Sequence, residues 1–120
     1  MIAVLSNGLT LAPNIRDAAS MVQKAIGFLG RRTIPATEGL LFQGENSLHM
    51  IGMICAIDVL FLDGSFPEYT IIRAERNVVP FRVLWERRAT AILELGKNAL
   101  APFGDLQGQR LRFQTTNYLI

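Results

Sequence analysis

Apolar residues recur along this chain at two spacings. From Asp17 to Leu29, the residues Ala18, Met21, Val22, Ala25, Ile26 and Leu29 fall three and four positions apart. That spacing stacks them in one stripe and predicts a helix. Asp17 stands where an N-cap belongs, and Gly30 stands where a left-handed residue would close the last turn. Elsewhere the pattern is that of short strands. Ile2 to Leu5 and Leu9 to Ala12 flank Asn7-Gly8, a hairpin signal. Leu40-Leu41-Phe42 reads as a short buried strand, and Ser47 to Met53 as extended or irregular chain. The β-rich run Ile57 to Leu62 ends at Asp63-Gly64, a second hairpin signal, with Tyr69 to Arg73 as its partner. Pro80 limits Val78 to Val83 to an edge segment. Ala89 to Leu95 and Leu111 to Thr115 read as strands, and Gly96 to Gly104 has room for one helical turn before Pro102 and Gly104 stop it.

These elements predict one α+β domain over residues 1–120. It would be a strongly curved, mostly antiparallel sheet, or a small barrel-like sheet, packed by one main N-terminal helix and short helical turns. A chain of 120 residues has the size of one domain. Half of its residues are hydrophobic and 18% are charged, a balance that excludes a disordered segment and favours a thick core. So apolar a composition also favours an exposed apolar patch, and with it self-association.

The net charge is +2, too small an excess for a nucleic-acid footprint. The nearest approach to a basic cluster is Arg73, Arg76, Arg82, Arg87 and Arg88. Glu75 and Glu86 interrupt it, as on a solvated face with local ion pairs. The longest apolar stretch, Leu48 to Leu62, contains His49 and Asp58 and is shorter than the roughly 20 residues of a membrane span. Neither nucleic acid nor membrane is therefore expected as a partner. Cys55 is the single cysteine and cannot form an internal disulfide. With no basic segment before Arg16, the chain reads as cytoplasmic, an exported form requiring a leader removed beforehand.

Few residues offer chemistry. Asp58 lies inside Ile57-Asp58-Val59-Leu60-Phe61-Leu62, and strand alternation puts it on the face of Leu60 and Leu62. An ionised carboxylate there is costly unless paired or hydrogen-bonded. It is either a base or ligand held in a pocket, or a scaffold group accepting backbone N–H bonds or pairing with Arg31. Glu94 poses the same question beside Leu93 and Leu95, facing the other way with Ile92. It either joins Asp58 as an acid and base pair or forms a salt bridge to an arginine on an adjacent strand. His49 is the only histidine and the only side chain that ordinarily titrates near neutral pH. With Met50, Met53 and Cys55 it makes a soft-ligand run suited to Cu(I), but the spacing matches no copper motif and suits core filling better. No metal or cofactor is expected. Cys55 lacks charged neighbours and a second histidine, and no serine sits in a nucleophile elbow. Gly27-Phe28-Leu29-Gly30 closes a helix instead of opening one, so it is not a phosphate cradle.

Read in order, Gly27-Phe28-Leu29-Gly30-Arg31, Gly39-Leu40-Leu41-Phe42, His49-Met50 with Met53, Ile57 to Asp63, Leu93-Glu94-Leu95 and Gly108-Gln109-Arg110-Leu111 form a pattern. It resembles the family known as domain of unknown function 192, over roughly residues 18–113. Ala56 stands where that family usually has Pro, Gln109 where it has Asp, and Asn98 near its usual Gly. Asn is the next-best residue for a left-handed turn. The resemblance implies a compact α+β domain on a strongly curved sheet, and no activity, cofactor or partner. It adds weight to Arg31, Glu38, Asp58 and Glu94 as framework or site residues.

The leading expectation is a non-enzymatic binding or accessory module, taking an unidentified small molecule or protein in a cleft near Arg31, Glu38, His49, Met53, Asp58 and Glu94. One alternative is a small hydrolase-like enzyme using Asp58 or Glu94 with His49. Another is a structural, self-associating module, a homo-oligomer.

Overall fold

The computed structural model describes residues 1–18 and 28–115. Ten strands follow one another: β1 (Ile2–Leu5), β2 (Thr10–Ala12), β3 (Asn14–Asp17), β4 (Glu38–Gln43), β5 (Ser47–His49), β6 (Ile57–Ser65), β7 (Glu68–Val78), β8 (Val83–Trp85), β9 (Ala91–Gly96) and β10 (Arg110–Gln114). Eight form one sheet in the order β2-β1-β10-β7-β6-β9-β4-β3, while β5 and β8 pair separately. Every pairing is antiparallel except β3 with β4.

The large sheet curls onto itself. Its two edge strands, β2 and β3, are consecutive and separated only by Pro13. Met1 and Ile15 exchange two backbone hydrogen bonds of 2.8 Å, which tie the start of β1 to β3. Closure of this kind hides polar sheet edges that would otherwise lie open. Alternation along each strand then sorts the apolar residues into two cores. Leu5, Leu41, Leu60, Leu62, Leu93 and Leu111 belong to the inner one, which Ala99, Leu100 and Leu106 cap. Leu40, Val59, Phe61 and Ile92 point outward, where Phe28, Ile34, Met50, Met53 and Leu84 cover them.

This corrects the expected fold class. The described residues are a β architecture without a helix. Asp17 ends β3, paired with Leu41, so it is not a helix cap, while residues 19–27 of the proposed helix lie outside the described residues. One side of the sheet closes on itself, and β5, β8 and the loops around Phe28 and Met50 cover much of the other. Among the described residues, no helix takes part in burying these faces.

Three local expectations shift as well. The β6–β7 connection falls at Phe66-Pro67 and not at Asp63-Gly64. Gly64 pairs with Tyr69 inside the ladder, at φ 143 and where a Cβ would stand 2.7 Å from the Glu68 carbonyl oxygen. Residues 78–83 are not an edge strand, because β7 ends at Val78 and Pro80 leads into a turn before β8. Residues 96–104 are successive turns closed by Ala99 to Gly96, Ala101 to Asn98 and Phe103 to Leu100 hydrogen bonds. Asn98 does adopt a left-handed φ of 69. Among the described residues, no helix is long and apolar enough to cross a membrane.

Candidate functional site

The two suspicious carboxylates lie on opposite faces of the sheet. In the β6–β9 ladder Asp58 pairs with Leu95, an inner-core residue, whereas Glu94 pairs with Val59, an outer one. Directly paired residues share a face. An acid and base pair made of Asp58 and Glu94 is therefore ruled out by the register.

Asp58 is only 2% exposed, yet both of its oxygens are occupied. Oδ1 accepts the Asn77 N–H at 2.9 Å and Oδ2 accepts the Leu100 N–H at 2.9 Å. The first arises because the β6–β7 register shifts between Ile57 and Val59, a bulge that leaves Asn77, at φ 55, without a ladder partner. The second ties the capping turns to the barrel end. Arg76 reinforces that tie by donating to the carbonyls of Leu100, Phe103 and Gly104 at 2.7–2.8 Å. Asp58 is scaffold, and it does not pair with Arg31.

Glu94 is a different case. It is 7% exposed, and its neighbours across the sheet are Leu40 on β4 and Val59 on β6. No arginine reaches it, and no hydrogen bond to its carboxylate is formed among the described residues. The salt bridge expected of it does not exist there. Burial alone pushes its carboxyl up from the ordinary 4.5 to about 7, since the charged form loses water and gains no partner.

This carboxyl lines a cleft of about 520 Å³. Phe28, Phe42, Leu48 and Ile92 form apolar walls, and Ser47, His49 and Met53 also line it. Phe42 and Ile92 pair directly across β4 and β9, two residues along from the Leu40–Glu94 pair, so the sheet register puts the walls beside the carboxyl. His49 is exposed and Met53 buried. Arg31 and Glu38 stand next to the cleft without lining it. Arg31 donates to both Glu38 oxygens, at 2.6 and 3.0 Å, and its guanidinium carbon sits 5.7 Å above the Phe28 ring. Those hydrogen bonds hold the Glu38 carboxyl below its usual range. The pair braces the wall that Phe28 provides. Of the six residues singled out in the sequence, then, His49, Met53 and Glu94 share the cleft, Arg31 and Glu38 buttress it, and Asp58 faces away.

Among the described residues, no group of three or more His, Cys, Asp or Glu side chains is arranged to hold a metal ion. A buried acid in an apolar cleft can instead receive a hydrogen-bond donor or a cation.

The family model described as DUF192, an uncharacterized ACR, matches residues 3–113. The chain belongs to the DUF192 family. Two solved structures resemble it. One is a protein of Sinorhizobium meliloti 1021 described provisionally as a transcription regulator, 25% identical, covering 92% of this chain and 89% of its own, with a TM-score of 0.73. The other is a protein of unknown function from Novosphingobium aromaticivorans DSM 12444, 18% identical, covering 94% and 84%, with a TM-score of 0.72. No curated protein matches in sequence. The DUF192 membership agrees with the resemblance read from the motifs, among them the Leu93-Glu94-Leu95 run that carries the cleft carboxyl. The sequence missed Phe28, Phe42 and Leu48 as cleft residues. Strand alternation could have placed Phe42 with Leu40, but only the β4–β9 register sets it against Ile92.

Proposed function

We propose that this DUF192 protein is a small-molecule binding module whose cleft takes a compact, mostly apolar molecule bearing an amine. The apolar body would lie against Phe28, Phe42 and Ile92, and the ammonium would meet the Glu94 carboxylate. A cleft of this volume and lining has the character of a ligand site. The observation that carries the reading is that Glu94 is nine-tenths buried, unpartnered among the described residues, and lines that space. Burying such a group with no fixed partner costs stability, so its presence favours a role outside the fold itself. Binding is favoured over turnover because no described side chain hydrogen-bonds or ion-pairs with Glu94 as a second member of an acid and base pair. A ligand-responsive module also suits the regulatory role provisionally given to the Sinorhizobium protein.

The test compares three probes of one shape, benzylamine, benzyl alcohol and benzoate, by thermal shift and NMR titration. Benzylamine should stabilise the protein most and perturb Phe28, Phe42 and Ile92 resonances, with benzoate showing no effect. Glu94→Gln should remove the amine preference while leaving the fold intact. Equal binding of benzoate and benzylamine, or an amine preference that survives in E94Q, would refute the proposal.

A further inference from the structure

A second surface, built on the strand paired with β5 of the cleft, carries charge and apolar groups together. β8 is outward-facing at both ends. Val83 is 66% and Trp85 60% exposed, while Leu84 between them is buried. Just before β8, Val79-Pro80-Phe81-Arg82 makes a turn closed by the Arg82 N–H to the Val79 carbonyl at 3.4 Å. Proline stands at its second position and φ is 70 at its third, the pattern of a type II turn, where glycine normally stands. Here it is Phe81, 78% exposed. A bulky residue at positive φ is strained, and this one gains no burial in return. Ile51 is exposed beside it, since the preceding Met50 accepts the Phe81 N–H and donates to the Arg82 carbonyl.

The same stretch holds Arg82, Arg87 and Arg88 against the single carboxylate Glu86. Arg73 pairs with Glu75, and Arg76 is engaged by carbonyls. Arg82, Arg87 and Arg88 are exposed and make no ion pair or side-chain hydrogen bond among the described residues.

We infer that this lobe docks on an anionic lipid surface, with Phe81, Val83 and Ile51 entering the interface and Trp85 and the three arginines at headgroup level. Exposed apolar side chains interleaved with unpaired guanidiniums match a bilayer interface, where apolar groups and anionic headgroups lie side by side. Tryptophan and arginine favour that interface, and anionic headgroups complement the unpaired guanidiniums. A second copy of the chain is disfavoured, because a two-fold contact would bring like-charged patches together. Single-stranded nucleic acid could stack on Phe81 and Trp85 but would leave the aliphatic Ile51, Val79 and Val83 without a partner. Peripheral docking needs no spanning segment, so it revises the expectation of no membrane partner without requiring one.

Trp85 is the only tryptophan, so its emission reports on the patch directly. The full chain is titrated with phosphatidylcholine vesicles, with phosphatidylserine-containing vesicles, and with a single-stranded oligonucleotide, and is sedimented alone. The expected result is a blue shift and co-sedimentation with phosphatidylserine vesicles alone. Each arginine replaced by glutamine should weaken binding roughly fivefold, so the triple variant R82Q/R87Q/R88Q weakens it about a hundredfold. Phe81→Gly should weaken binding and raise the melting temperature together, which separates a docking role from a folding one. Unshifted emission at millimolar lipid overturns the inference. So does a shift produced by the oligonucleotide and not by vesicles, or one produced by concentration-dependent dimerisation without lipid.

Discussion

Replacing Glu94 by glutamine should make the protein more stable, and by an amount that depends on pH. Glutamine keeps the shape and cannot ionise. In the unfolded chain the Glu94 carboxyl titrates at its ordinary 4.5, and in the folded protein at about 7. Below the lower value both states hold the proton, and the residue carries no ionisation penalty. Between the two the unfolded chain releases its proton while the folded protein retains it, so stability falls as pH rises. Above the higher value the loss is complete. A difference of that size amounts to about 3 kcal/mol at 1.36 kcal/mol per pH unit, an order-of-magnitude figure. E94Q and the parent should therefore differ little, or by a constant, in acid. By about pH 8 the gap should have widened by about 3 kcal/mol, on the order of 10 °C in melting temperature for a domain of this size. Guanidinium chloride unfolding of both proteins across this range measures it, and subtraction cancels the other carboxylates. A gap independent of pH, or one in which the parent gains on E94Q as pH rises, would show that the buried-acid account is wrong.

Asp58→Ala should destabilise the protein by roughly 2–6 kcal/mol, because it strands two N–H groups, each costing about 1–3 kcal/mol. Asp58→Asn should cost less, and neither should alter the amine preference of the cleft, as denaturation midpoints and the probe titrations would report. Gly96→Ala should cost about 3 kcal/mol or more, since a Cβ there would overlap the backbone carbonyl oxygens of Ile34 and Pro35, which cannot rotate away. A melting temperature unchanged in G96A would contradict that close approach.

Strand alternation and turn residues made much of this architecture legible. Ile2 to Leu5 with Asn7-Gly8 is a hairpin, and Leu40-Leu41-Phe42 and Ile57 to Leu62 lie in strands. What alternation cannot supply is register. The hairpin loop moved from Asp63-Gly64 to Phe66-Pro67 because glycine at Gly64 serves a close approach to the Glu68 carbonyl and not the turn itself. Nor could the sequence supply the means of closure, which are Pro13 bending one strand into the next and the Met1–Ile15 exchange. The α+β reading failed on that point: it gave a helix the task of covering the sheet, where closure hides one face. At the site, His49, Met53 and Glu94 were legible as unusual polar or soft residues in apolar runs. Their convergence with Phe28 and Phe42 was not, since it depends on elements far apart in the chain.

Asp58 and Glu94 began as the same puzzle, an acid at the centre of an oily strand, and the fold separates them by what surrounds each. Asp58 sits where the sheet is irregular. A bulge and a tight turn each present a backbone N–H with no ladder partner, and the carboxylate answers both. Removing it would orphan those groups, so the fold alone explains its presence. Glu94 sits where the sheet is regular, with every neighbouring backbone group already committed to the ladders with β4 and β6. Nothing is left there for a carboxylate to satisfy. A residue that the scaffold explains and one that it opposes differ in partner supply, not in burial. By that criterion the cleft beside Phe28, and not the barrel end beneath Asp58, is where a ligand should be sought.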